Sequence, residues 1–189
     1  GVQTCALPIL DLLPLGNIKP RDYQKDAVKY GLSNRKGLLV SPTASGKSLI
    51  IYLLIRYFME YNKSKKILLI VPTTSLVKQM YGDFADYSKD DETFNPNVCH
   101  QIMAGIDKNA DTQIYISTWQ SIYKMPKEYF QQFGMVIGDE AHNFKAKSLT
   151  SILTKCSAAE YRFGLTGTLD GTQTHKLVLE GLFGPVYNV

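Results

Sequence analysis

Short, almost unbroken apolar runs recur along the chain: Gly37–Ser41, Lys66–Pro72, Thr112–Thr118, Gly134–Glu140 and Tyr161–Thr168. A strand apolar on both faces must be covered on both faces, and such strands alternating with helices make a parallel sheet with helices above and below. The segments between them have helical length and spacing. Lys47–Tyr61 reads as a helix, and its run Leu49–Ile55 is far below the ~20 residues that span a bilayer, so it is expected inside a core. Ser75–Tyr87 places Leu76, Met80, Phe84 and Tyr87 three and four residues apart, a helical stripe. Ser148–Cys156 and Lys176–Gly184 continue the alternation, with strands at Val98–Met103 and Pro185–Val189, a short helix at Trp119–Tyr123 and a loop at Asp90–Asn97. The expected fold is α/β, a central, mainly parallel sheet flanked by helices on both faces.

The chain has 189 residues, 44% of them hydrophobic, which suits one substantial core. A net charge of +4 permits a polyanionic partner without requiring one. Cys5, Cys99 and Cys156 form no Cys-x-x-Cys pair, so they do not supply the four ligands of a structural zinc site, and an odd, scattered count suits a reducing compartment. Residues 1–9, "GVQTCALPI", lack the basic start and long apolar middle of a signal peptide. They resemble one reading frame of a common sequencing-library adapter and are expected not to be biological; the alternative is an ordinary flexible terminus. Residues 10–19 read as an upstream linker and residues 20–189 as one domain.

The strand Gly37–Ser41 runs into "SPTASGKS" and then a helix. That is the setting of a phosphate-binding loop, although Ser41 stands where the strict pattern has glycine. The first position needs a small residue where the chain leaves the strand, and Gly46 is present where backbone must come close to phosphate. Backbone N–H groups at the helix start can cradle phosphates, Lys47 can reach the β and γ oxygens, and Ser48 can ligate Mg²⁺. The strand Gly134–Glu140 ends in Asp139-Glu140, the Walker B arrangement, in which the first acid holds the metal and the second polarises water. Each signal is weak alone; in this order they point to an ATP site.

With these in place, "SPTASGKS", "GDEAH" and "LTGT" resemble motifs I, II and III of superfamily-2 helicases of the DEAH type, where motif I commonly begins with Ala or Ser. "RDYQKDAV" resembles their upstream R-x-Y-Q element, "VPTTSLVKQM" their motif Ia and "STWQSI" a further strand-contacting motif. "PKEYFQQFGMVIGDEAH" is similar to the UvsW-type recombination helicases of tailed phages. The resemblance covers about Pro20 to Val189 and implies the RecA-like P-loop NTPase fold, ATP with Mg²⁺, and nucleic acid as partner, with DNA favoured over RNA through the phage likeness alone. It implies that Gln24 reads adenine with Arg21 beside it, and that Thr43, Ala44, Ser45 and Gly46 line the phosphates. Lys47 and Ser48 would bind phosphate and metal, with Asp139 on the metal and Glu140 as water-orienting base. His142 would couple the site to Thr166 and Thr168. Pro72, Thr73 and Thr74, and Thr118, Trp119 and Gln120, would contact the nucleic-acid backbone; a packed Trp119 is the alternative to a stacking one, and a helix-surface Gln24 the alternative to an adenine reader. The basic stretches Asn62–Lys66 and Lys145–Lys147 read as solvated loops.

Such motors close two RecA-like lobes on ATP, the second supplying arginine fingers, and no Q-x-x-G-R-x-x-R pattern follows Thr168. The expectation is therefore one lobe of a helicase or branch-migrating translocase, nearly inactive in hydrolysis without its second lobe and working in the cytoplasm, the host's if phage-encoded. No membrane is implicated. A stand-alone, nucleotide-gated nucleic-acid-binding module and a small-molecule kinase are the competing readings.

Overall fold

The structure, a computed structural model, describes residues 15–42, 44–169 and 173–189. The adapter-like residues 1–9, residues 10–14 of the upstream stretch, and Thr43 lie outside the described residues. Seven strands form a single sheet in the order β3-β4-β2-β5-β6-β1-β7: β1 Lys36–Val40, β2 Lys66–Val71, β3 Cys99–Ile102, β4 Ile114–Thr118, β5 Phe133–Asp139, β6 Tyr161–Thr166 and β7 Val186–Asn188. Every pairing is parallel.

The helices are α1 Asp22–Asn34, α2 Lys47–Tyr61, α3 Thr74–Ser88, α4 Trp119–Ile122, α5 Lys127–Phe130, α6 Ala146–Lys155 and α7 Gln173–Phe183. Successive strand residues point to opposite faces, which splits the apolar runs between two cores. Leu39, Leu69, Ile116, Ile137 and Leu165 pack under α1, α2 and α3. Leu38, Leu68, Ile70, Tyr115 and Val136 pack against Ile122, Phe130, Leu149, Ile152, Leu179 and Phe183 from the other four helices. The doubly covered sheet expected from the continuous apolar runs is therefore present, and Leu49–Ile55 lies inside the first core. Among the described residues no helix is long and apolar enough to cross a membrane.

Two features were not legible as patterns. Gly138 and Gly164 sit opposite one another on β5 and β6; a Cβ on Gly164 would stand 2.6 Å from the Phe183 ring, so the absent side chains admit that ring and let α7 close on the sheet. Arg56 of α2 and Asp91 of the loop after α3 form a buried ion pair, with side chains only 6% and 1% exposed. Arg56 also donates to Tyr52 Oη at 2.8 Å and Thr93 Oγ1 at 2.8 Å, while Asp91 accepts from the Thr93 backbone N–H at 2.9 Å. The loop read from its polar composition is thus pinned to the core by a charge.

Candidate nucleotide site and nucleic-acid edge

In a parallel sheet all strands end on one edge, and ligands collect there. Val40 pairs with Thr166 and Asp139 with Leu165, so the loops leaving β1, β5 and β6 are neighbours. The phosphate loop, the Asp-Glu pair and the Thr-Gly-Thr segment therefore meet, although they are distant in sequence. The Ser41 N–H donates to the Thr166 carbonyl at 2.8 Å, tying the first loop to the last.

Ser41 is buried, and its hydroxyl contacts that of Ser45. The serine in the usual glycine position thus serves as an internal tether of the loop. Ala44 (φ 69°) and Gly46 (φ 74°) both adopt left-handed backbone. Such alternation turns successive N–H groups toward one concavity, and Gly46 is the N-cap of α2. The first N–H groups of a helix, here those of Lys47 and Ser48, have no carbonyl four residues back and attract anions.

Gln24 closes the loop from α1. Its amide donates to the Ser45 carbonyl at 3.0 Å and the Gly46 carbonyl at 3.4 Å, and its oxygen accepts the Arg21 N–H at 2.8 Å. At 5% exposure it is not a helix-surface glutamine. Tyr23 adds a hydroxyl to the Ser45 carbonyl at 2.8 Å. The Arg21 side chain is exposed and donates to the Tyr23 hydroxyl at 3.3 Å. A Cβ at Gly46 would lie 2.2 Å from Gln24 Nε2. Gly46→Ala is therefore expected to combine about 1–2 kcal/mol of left-handed strain with loss of the Gln24 clamp. A fall in melting temperature of several degrees together with weakened nucleotide binding is the expected pair of readings; an alanine variant that binds as well as the wild type would show the clamp to be irrelevant.

At the acidic side, Lys47 Nζ lies 3.0 Å from Asp139 Oδ1 and also contacts Glu140 Oε1. Asp139 is 3% exposed; burial pushes its carboxyl up, only partly opposed by the Lys47 ammonium. Glu140 sits just past β5 in left-handed backbone (φ 53°), which turns it out of the strand direction beside Lys47. His142 Nδ1 lies 3.6 Å from Glu140 Oε2 and bonds the Thr166 hydroxyl. That hydroxyl donates its one proton to the Thr168 carbonyl at 2.6 Å, so His142 Nδ1 must carry the hydrogen between them. Thr168 joins this chain by its backbone; its side chain is exposed.

The Ser48 hydroxyl bonds Tyr87 Oη of α3 at 2.6 Å, and no hydrogen bond joins it to Asp139. In the sequence Tyr87 counted only toward the apolar stripe. Among the described residues no group of three or more His, Cys, Asp or Glu side chains gathers as a metal centre. The donor set fits magnesium, a hard cation that takes one or two carboxylates and completes its shell with phosphates and water.

The candidate nucleic-acid segments also sit on this edge, because Val71 pairs with Thr118. Gln120 Nε2 donates to the Pro72 carbonyl at 3.4 Å, joining the two segments. Thr73 caps α3 by accepting the Leu76 N–H at 3.3 Å, and Thr74 opens the helix; both are exposed, as is Gln120, while Pro72 is half-buried. Thr118 is instead buried, its hydroxyl on Ser121 at 2.8 Å. Trp119 is half-buried, packed on the second core and edge-on to Tyr123. Of the basic stretches, Lys66 is not solvated: its ammonium bonds the Ala110 carbonyl at 2.6 Å and Tyr115 Oη at 3.1 Å. Lys63, Lys65, Lys145 and Lys147 are exposed.

Residues 17–171 match the family described as the type III restriction enzyme, res subunit. The chain is 42% identical over 174 residues to the ATP-dependent DNA helicase uvsW of Enterobacteria phage T4, covering 90% of this chain and 34% of that protein. It is 28% identical over 182 residues to the DNA 3'-5' translocase XPB2 of Sulfurisphaera tokodaii, covering 94% and 38%. The crystal structure of the UvsW helicase from bacteriophage T4 superimposes with a TM-score of 0.83 and 41% identity, over 96% of this chain and 66% of that one. The helicase domain of Pyrococcus furiosus Hef shares the fold, with a TM-score of 0.75 at 19% identity, over 90% of this chain and 38% of that one. The chain spans about a third of the length of these two curated relatives.

Proposed function

Because this chain belongs to the family of the type III restriction enzyme res subunit and carries the RecA-like fold of superfamily-2 helicases, we propose that residues 20–189 are the ATP-binding lobe of an ATP-dependent DNA helicase or translocase. The observation that carries the reading is Lys47 reaching both Asp139 and Glu140 across the sheet edge. It joins the cation of the phosphate loop to the two acids that phosphoryl transfer from ATP requires.

In this reading the backbone of Thr43, Ala44, Ser45 and Gly46 and the first N–H groups of α2 line the phosphates, and Lys47 moves its charge from the acids to the β and γ oxygens. Gln24, with Arg21 beside it, would read the adenine. Asp139 and Ser48 would hold Mg²⁺, which would supply positive charge against the triphosphate. Glu140 orients the attacking water. His142, hydrogen-bonded to Thr166, passes the state of Glu140 to the Thr168 backbone and on to a second RecA-like lobe, which supplies the arginines and without which hydrolysis is negligible. Thr73, Thr74 and Gln120 are the exposed groups for nucleic-acid phosphates, contacts that position a strand without reading bases. Trp119 and Thr118 support that edge from behind. DNA rather than RNA follows from likeness to proteins named as DNA helicases and translocases. Closure of the lobes would drive strand separation or branch migration in recombination or repair, in the host cytoplasm for a phage protein.

The test is a titration of the chain with a fluorescent adenosine nucleotide in Mg²⁺. Saturable binding, competed by ATP, is expected, with a stabilisation approaching about 2.7 kcal/mol at a hundredfold excess over Kd. No binding at millimolar nucleotide would overturn the reading.

A further inference from the structure

We propose that Tyr23 of α1 is a positioning residue of the phosphate loop, its hydroxyl fixing the direction of the peptide that joins Ser45 to Gly46; this rests on the nucleotide site proposed above. Chemistry settles the donor in each contact. The Tyr23 hydroxyl lies 2.8 Å from the Ser45 carbonyl oxygen, which can only accept, so the phenol proton goes there. Arg21 Nη1, which can only donate, lies 3.3 Å from the same phenol oxygen and uses one of its lone pairs. A guanidinium on that oxygen polarises the phenol and strengthens the bond it donates onward.

Ser45 is thereby held at each of its polar groups. Its N–H donates to the Pro42 carbonyl at 3.1 Å, and its hydroxyl meets that of Ser41. Its carbonyl takes Tyr23 on one lone pair and Gln24 Nε2, at 3.0 Å, on the other. In a trans peptide the C=O and the following N–H point opposite ways across one rigid plane. A Ser45 carbonyl turned toward α1 therefore turns the Gly46 N–H away from α1. Gly46 directly precedes the first N–H groups of α2, so this direction decides whether its own N–H joins them on a phosphate.

Gln24 does not do this alone. It divides its amide between the Ser45 and Gly46 carbonyls, at 3.0 and 3.4 Å, whereas Tyr23 gives its one proton to Ser45 from a rigid ring. Without the phenol the peptide has a wider range of directions, and only the fraction of loops in the competent one binds. The effect of Tyr23 therefore falls on the phosphates, through the loop, and not on the base.

The experiment titrates wild type, Tyr23→Phe and Tyr23→Leu with the fluorescent adenosine nucleotide in Mg²⁺, with thermal melts to establish that each variant folds. Tyr23→Phe keeps the ring and removes only the hydroxyl; affinity should fall roughly threefold to tenfold, the range of one net hydrogen bond. Tyr23→Leu should fall little further, and the melting temperature of Tyr23→Phe should drop by no more than about 4 °C. A second reading needs no ligand. In protein labelled with ¹⁵N at glycine, the Gly46 amide signal, identified by its loss in Gly46→Ala, should move in Tyr23→Phe, while that of Gly134 at the other end of β5 stays in place. A Phe variant that binds as wild type does, with only Leu weakened, would assign the effect to the ring and overturn the proposal. So would a weakened Phe variant whose Gly46 amide has not moved. Either result overturns this inference alone, whereas a wild type that binds no nucleotide would remove the functional reading and this inference with it.

Discussion

Lys47→Ala is expected to weaken magnesium–ATP binding at least roughly a hundredfold. At a separation of about 4 Å and an effective dielectric near 20, a unit charge pair is worth about 4 kcal/mol, and each 1.4 kcal/mol is about tenfold in affinity. The ammonium is also what now balances Asp139 and Glu140. Without it the triphosphate meets two carboxylates with no intervening cation, and one of them, Asp139, is almost wholly buried. Lys47→Arg should recover only part of the affinity, since a planar fork does not replace a compact point charge in a tight backbone cradle. The nucleotide titration reads both variants. A loss of less than tenfold in Lys47→Ala would mean that the triphosphate does not lie on this lysine, and the site would have to be sought elsewhere on the edge.

The second large effect is on stability. Asp91→Ala is expected to cost about 3–5 kcal/mol, because it removes a buried carboxylate paired with the buried Arg56 guanidinium. For a domain of this size that corresponds to a fall in melting temperature of roughly 10 °C. The stacking of Arg56 over Tyr52 and Phe94 does not replace the lost charge. The same pair predicts an acid response. Burial pushes the Asp91 carboxyl up, but hydrogen bonds from Thr93 and Arg56, with the Arg56 charge, outweigh it and hold the group below the ordinary carboxylate range. The folded chain therefore binds fewer protons here than the unfolded chain. The stabilisation is complete above the unfolded value of about pH 4 and is lost as pH falls through the folded one. Chemical denaturation at a series of pH values checks this. Asp91→Asn should start lower in stability and lose less between about pH 4 and pH 2; an acid profile parallel to wild type would place the titrating group elsewhere.

Much of the site was legible because its parts are local. The turn out of β1, the glycine before Lys47 and the acids closing β5 are each set by a few consecutive residues, and strand–turn–helix order says that they lie at the sheet edge. Gln24 shows the limit. Its residue type and position suggested an adenine contact, yet a helix glutamine reads as a surface residue until α1 is seen packing on the phosphate loop, where Gln24 is buried against the Ser45 and Gly46 carbonyls. Thr118 and Trp119 show a different limit. Their motif suggested contact with a strand of nucleic acid, with a packed Trp119 as the alternative, and only the structure places the Thr118 hydroxyl on Ser121 and the half-buried indole against the second core.

The layers and the chemistry of the loops were set by the order of residues along the chain. Uninterrupted apolar runs force a sheet covered on both faces, and parallel strands force every loop that follows one to the same edge, whatever the details of packing. Which polar side chains meet across elements became visible in the fold. Ser48 and Tyr87 are 39 residues apart, and Arg56 and Asp91 are 35 apart. Whether such pairs touch depends on where α3 crosses α2 and how the following loop returns to β3. That crossing is set by the fit of Tyr52, Phe84, Tyr87 and Phe94 against one another. Side-chain packing of this kind has no period in the sequence, because it is a property of two surfaces at once.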